Sequence, residues 1–263
     1  MGVAYQPKGA CNNRHVAVPM ETQIRDDLRL LRRTGFRSLV TYAATGVFGS
    51  IPRLARAEGF DGVIVMGLWS PLSEEERKQA VASAPYVDGY CVGNEGLGVR
   101  YGPEELASAM DDLRRRTGRP VTTSEHVDLY LNGPYREWLR THSDWLFPLA
   151  HPFWAHQRSV GDAVNWLSVR YDYLVAVTGK EVVFKEAGVP TAGAPGFDEN
   201  VQMIFFQELE KTGLKYFYFE AFDQPCKKNP RELPQVETHW GLFRADGKPK
   251  EIIRWLCAAE RKS

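Results

Sequence analysis

The stretch YCVGNEG, residues 90–96, is a short apolar run that ends on an amide and a carboxylate side by side, Asn94 and Glu95. VVFKEAG, residues 182–188, repeats the design: β-branched and aromatic residues run into Glu186, and Val189-Pro190 then turns the chain, because proline fixes its own backbone and offers no N–H. Short apolar runs bounded by turn formers read as strands buried on both faces, and such strands belong to parallel sheets. Two of them ending on glutamates predict an α/β protein whose strand ends open on one cleft.

Working outward, segments of the same kind fall at 2–5, 36–42, 63–69, 86–93, 121–125, 145–153, 182–186 and 216–222. Helical spacing lies between most of them. Ile24, Leu28 and Leu31 run to Gly35, residues 47–59 form the next helix, and Ser73 with Glu76 makes a capping box. Pro103 opens a helix through Leu106, Met110 and Leu113 to Gly118. Val164, Leu167 and Tyr171 mark another, as do Val201, Phe205 and Leu209 before Gly213, and Ile252, Ile253 and Leu256 at the end.

Eight such alternations, without a linker or an internal repeat, predict one (β/α)8 TIM barrel spanning residues 1–263 as a single domain. The competing architecture is a doubly wound open sheet, but no Gly-rich phosphate loop follows the first strand. In a barrel the C-terminal strand ends share one face, which brings Glu95 and Glu186 to one cleft.

Lys plus Arg and Asp plus Glu each number 33, so no overall field gathers nucleic acid or an anionic surface. A neutral polymer suits this balance better than a polyanion. No apolar stretch reaches membrane-spanning length, and the first residues enter a strand rather than a signal peptide, which leaves the compartment open. Cys11, Cys91, Cys226 and Cys257 show neither metal-ligand spacing nor a disulfide framework, and Cys91 reads as a small buried hydrophobe. No cofactor is implied, and His151 and His156 lack a third ligand at suitable spacing for a metal.

Two carboxyl groups facing one cleft are the equipment for cutting a glycosidic bond, one protonated to assist the leaving oxygen and one ionised to attack the anomeric carbon. Like-charge repulsion at short range pushes their pKa values apart, as that division of labour requires. A single strand-end glutamate more often caps the next helix or pairs with an arginine. Two in matching positions shift the balance towards chemistry.

YCVGNE, VVFKEAGVPTAG, YFYFEAFDQPCK and ETHWGLF, in that order, resemble the successive motifs of glycoside hydrolase family 17, the β-1,3-glucanase family. With GVAYQP on the first strand, the likeness spans nearly the whole chain. It implies that Glu95 is the acid/base and Glu186 the nucleophile of a retaining enzyme acting on β-1,3-glucan or its oligosaccharides, with the two on strands four and seven. It implies an extracellular or periplasmic setting, and a monomer is expected. Plant members carry a glutamate where this chain has Gln224, while Lys227 is retained and Glu237 takes the place of the second supporting acid. The chain is also shorter than plant members, which implies a shorter acceptor side.

Asn94, beside Glu95, is expected to hydrogen-bond a sugar 2-hydroxyl, and the resemblance implies that His151, where family members carry His or Tyr, offers a polar donor into the cleft. Tyr5, Tyr42, Phe153, Trp154 and Trp240 stand near strand ends, where aromatic faces stack on sugar rings or plug the barrel mouth. Glu125 ends strand five on the same face, and Glu220 lies within strand eight. Lys185 alternates away from Glu186 and reads as structural.

Two further outcomes remain open. A sugar hydroxyl in place of water at the second step makes the protein a β-1,3-glucanosyltransferase that elongates or branches glucan. A barrel that binds carbohydrate without cutting it is another reading, which the two carboxylates in motif context argue against. A barrel acting on phosphorylated metabolites would need a Gly-rich loop, and Pro195 deprives residues 193–196 of a backbone donor.

Overall fold

The structure is a computed structural model that describes residues 1–10, 18–228 and 235–260. Strands β1 (Gly2–Ala4), β2 (Ser38–Val40), β3 (Ile64–Leu68), β4 (Gly89–Asn94), β5 (Val121–Ser124), β6 (Leu149–Ala150), β7 (Phe184–Ala187) and β8 (Tyr216–Tyr218) form one parallel sheet. Consecutive strands are neighbours from β1 to β5 and from β6 to β8, and β1 lies beside β8. The remaining seam is closed by a bridge between His126 and Leu149, where the Leu149 N–H donates to the Glu125 carbonyl at 2.9 Å. The sheet is therefore a barrel with no free edge.

The helices are α1 (Glu21–Arg33), α2 (Ile51–Ala57), α3 (Glu74–Ala82), α4 (Pro103–Thr117), α5 (Val127–Leu131), α6 (Arg136–His142), α7 (Val160–Thr178), α8 (Glu199–Glu210) and α9 (Glu251–Glu260). Their local signals are those of the sequence: proline at the first turn of α4, left-handed glycines after α4 and α7, and Ser159 and Asp198 accepting from the Asp162 and Val201 N–H groups. At α3 only half of the expected capping box forms. Ser73 accepts from the Glu76 N–H, whereas the Glu76 carboxylate turns to the Ser70 N–H.

Period-two alternation divides each strand between two packing layers. Phe217 meets Phe147, which meets Trp145, while its neighbour Tyr218 packs on Phe206 of α8 and Phe184 packs on Tyr171 of α7. Burying such aromatics contributes about 1.5–3 kcal/mol per side chain, so the paired layers rather than the short strands hold the barrel together.

Two expectations need correction. The sixth strand, read as residues 145–153, pairs over only Leu149–Ala150 with an isolated bridge at Leu146, because Pro148 and Pro152 interrupt the donor row. The stretch after β5, left without a helix, winds into α5 and α6. A disulfide is also present, at Cys226, while Cys91 and Cys257 are free. Cys11 lies outside the described residues.

Glu220, expected within strand eight, lies two residues beyond it, because β8 pairs only over Tyr216–Tyr218. Just past the ends of β7 and β8 the chain presses together at Gly188, where an added Cβ would stand 2.2 Å from the Phe219 carbonyl oxygen. Only glycine permits that approach, which seats the end of the KEAG motif against the segment carrying Glu220.

Candidate active site

β4 is buried along its whole length, and Glu95 is the first residue beyond it. Its φ of 49° puts it in the left-handed region, unusual for a residue with a Cβ, and its N–H donates to the Ser124 carbonyl at 2.9 Å. The residue is exposed, while the neighbouring protein partly desolvates its carboxyl. That desolvation raises the carboxyl's pKa, and the Glu186 charge raises it further against the pull of His151 and Lys185.

Glu186 is 5 % exposed on β7. Burial pushes its pKa up, but its hydrogen-bonding and charged neighbours reverse the sign. His151 Nε2 lies 3.1 Å from Oε2, Lys185 Nζ lies 3.8 Å from Oε1, and Tyr42 Oη donates to Oε1 at 2.9 Å. The net result is a carboxyl held below its ordinary value. Two glutamates in one cleft thus lie on opposite sides of the usual carboxylate pKa.

Lys185 does not alternate away from this centre. The pairing of β7 with β8 shifts register between Phe184 and Ala187, so successive side chains no longer take strictly opposite faces. Lys185 is 1 % exposed, lies over the Tyr42 ring at 4.6 Å and donates to Asn94 Oδ1. That bond turns the Asn94 amide so that Nδ2 faces Glu95 Oε2 at 3.4 Å. A lysine inside an apolar strand run was the available signal, since a buried lysine needs a partner. Arg100 was missed as well. It stacks over Trp69, 4.5 Å from the ring centre, and donates to the Trp69 and Asn94 carbonyls, bracing the ends of β3 and β4.

On β8's continuation, Lys227 Nζ grips both oxygens of Glu220 at 2.8 and 2.9 Å. Burial lifts Glu220 to about 7 against that cation, with Glu186 and Glu237 adding to the rise. Glu237 is half-buried, and its charge reaches both Glu95 and Glu220. Gln224 is fully buried, and its amide donates to the Gln6 and Pro7 carbonyls at 3.3 Å, a task an ionised acid cannot perform.

The aromatics divide. Trp154 is 43 % exposed and makes a T-shaped contact with Phe153. Tyr42 spends its hydroxyl on Glu186. Phe153 and Trp240 are buried behind His151, whose ring packs 5.2 Å from Trp240 and 5.0 Å from Phe219. They back the site and have no face to give a sugar. Tyr5 is likewise buried and donates to Asp27 at 3.3 Å. Glu125, expected at the substrate, is 3 % exposed, and its Oε1 accepts the Gly96 and Leu97 N–H groups at 2.9 Å each. Among the described residues, no group of three or more His, Cys, Asp or Glu side chains could hold a metal ion.

The chain aligns with a glucan 1,3-β-glucosidase of Arthroderma benhamiae at 26 % identity, over 93 % of this chain and 86 % of that protein. It aligns with a probable glucan endo-1,3-β-glucosidase, btgC, of Aspergillus flavus at 30 % identity over 63 % of this chain, and spans only 28 % of that longer protein. Among solved structures, an active-site mutant of a Rhizomucor miehei β-1,3-glucanosyltransferase in complex with laminaritriose superposes with a TM-score of 0.76 at 21 % identity, covering 95 % of each chain, a likeness of fold. The profile of the BtgE/BtgC glycoside hydrolase domain matches residues 2–241, and the chain belongs to that family.

Proposed function

We propose that this protein is a retaining glycoside hydrolase of β-1,3-glucan, with Glu95 as acid/base and Glu186 as nucleophile. The observation that carries the reading is the opposed environment of the two carboxyls, one raised by desolvation and by its partner, the other lowered by His151, Lys185 and Tyr42. β-1,3-Glucan as substrate comes from the relatives named glucan 1,3-β-glucosidase.

In the first step a Glu186 oxygen attacks the anomeric carbon while Glu95 gives its proton to the departing glycosidic oxygen. A glucosyl ester on Glu186 and a free sugar hydroxyl result. In the second step Glu95, now ionised, takes a proton from water as the oxygen attacks, and Glu186 leaves as carboxylate. A sugar hydroxyl in place of water gives transfer instead. In this reading Trp154 supplies a stacking platform and Asn94 Nδ2, beside Glu95 Oε2, donates to the sugar 2-hydroxyl. The disulfide at Cys226 suits an oxidising, extracellular or periplasmic setting.

Linear β-1,3-oligosaccharides of several lengths test this directly. Shorter products alone are expected, products longer than the donor establish transfer, and binding without turnover leaves a carbohydrate-binding barrel. Glu186→Gln retaining the wild-type rate would remove the nucleophile assignment.

A further inference from the structure

We infer that Glu125 is a positioning residue for the acid/base: its buried carboxylate pins the backbone just beyond Glu95 and so fixes the left-handed turn that aims the Glu95 carboxyl into the cleft. The inference rests on Glu95 having that role. A residue with a Cβ does not hold a φ of 49° unaided, because the left-handed region crowds the Cβ against the following carbonyl. Something must over-determine the turn.

The restraint is visible on both sides of the loop. The Glu95 backbone is tied through its N–H to the Ser124 carbonyl. The next two N–H groups, of Gly96 and Leu97, converge on one oxygen, Glu125 Oε1, at 2.9 Å each. Converging successive N–H groups form an anion-seeking concavity, and a carboxylate oxygen has the lone pairs to fill it. Across the loop lies Tyr101, against which a Cβ on Gly96 would come within 2.5 Å of the ring. Glu125 is itself anchored, since its carbonyl receives the Leu149 N–H at the seam that closes the barrel. The chain of contacts runs from the barrel seam through Glu125 to the two residues after Glu95.

What the loop requires of residue 125 is an acceptor at that reach, and a charge is not needed. Glutamine keeps the acceptor without the charge, and aspartate keeps the charge one methylene short. The measurement is kcat/KM for wild type, Glu125→Gln, Glu125→Asp and Glu125→Ala on laminaritetraose and on a 2,4-dinitrophenyl β-glucoside, whose leaving group departs without a proton. Glu95→Ala is the reference. Misplacing the acid is expected to cost Glu125→Asp and Glu125→Ala about 10²-fold on the oligosaccharide. Both should stay within about threefold of wild type on the aryl glucoside, with Glu125→Gln that close on both substrates.

Equal losses on the two substrates, undiminished oligosaccharide cleavage in Glu125→Asp, or a Glu125→Gln as impaired as Glu125→Asp would overturn the inference. Should Glu125→Ala fail to fold, the aspartate and glutamine variants carry the test. Glu95→Ala without leaving-group dependence would remove the acid/base assignment and this inference together. Such dependence in Glu95→Ala but not in Glu125→Asp removes only the latter.

Discussion

Tyr42 Oη donates to Glu186 Oε1 at 2.9 Å, joining the end of β2 to the end of β7 across 144 residues of sequence. Burial and the facing Glu186 charge keep the phenol's pKa well above its ordinary value, so it remains a donor wherever the enzyme works. Removing it should raise the Glu186 pKa. A hydrogen bond to a charged group contributes about 1.5–3 kcal/mol, which corresponds to about one to two pH units. Tyr42→Phe is expected to move the acid limb of kcat/KM upward by about that much and, by linkage, to lower Tm at neutral pH by several degrees. An acid limb that stays in place would mean that His151 and Lys185 suffice to keep Glu186 ionised.

The full pH profile follows from the two directions. As the proposed nucleophile Glu186 works ionised, and its folded pKa is lowered, so activity is expected above that lowered value and is lost as pH falls through it. As the proposed acid Glu95 works protonated, and its pKa is raised, so activity is expected to persist past the usual carboxylate range and to be lost as pH rises through the raised value. A bell in kcat/KM is expected, and in Glu95→Gln the residual cleavage of an activated aryl glucoside should lack the alkaline limb. An alkaline limb that survives in Glu95→Gln would assign it to another group.

Glu95 and Glu186 were legible because the signal for each is local, an apolar run that stops on an acid. Their supports were not, because each depends on a contact made only when the barrel closes. Lys185 reaches the site through a register shift that strict alternation does not anticipate. Glu125 reads as one more acid at the mouth, and only the fold points it at the backbone beyond Glu95. Tyr5 and Trp240 stand at strand ends like Tyr42, and nothing in their neighbouring residues says that they end in the core. At Gln224 the resemblance predicts an acid, whereas the carbonyls of Gln6 and Pro7 ask for a donor. β6 is shorter than its apolar run because Pro148 and Pro152 interrupt the run.

Trp154 offers a more direct test of the cleft. The residue is 43 % exposed and its ring contact with Phe153 is T-shaped, which leaves indole surface for a sugar ring. Stacking of this kind contributes about 0.5–1.5 kcal/mol beyond simple burial, so Trp154→Ala should raise KM for long oligosaccharides up to about tenfold. A loss confined to kcat would place the indole away from any sugar subsite. Tm should hardly move, since exposed side chains contribute little to folding.

Lys250 makes a different kind of prediction, about what holds the loops of the mouth in place. Its ammonium is 1 % exposed and donates at 2.7 Å both to Asp223 Oδ1 and to Thr191 Oγ1, joining the segments after β8 and β7. Burial lowers the Lys250 pKa and raises that of Asp223, so for each partner desolvation outweighs mutual attraction. Such a pair adds little net stability while intact and is costly to break from one side. Lys250→Met should destabilise by about 3–5 kcal/mol, and adding Asp223→Asn should recover much of it, since the amide oxygen still accepts the Gly241 N–H. The single-variant penalty should shrink as pH falls through the raised pKa of the stranded Asp223, which then becomes neutral. Denaturant unfolding of the wild type and these two variants at two pH values measures all of this, and a double variant no more stable than Lys250→Met would show that the lysine acts through Thr191 and packing rather than through Asp223.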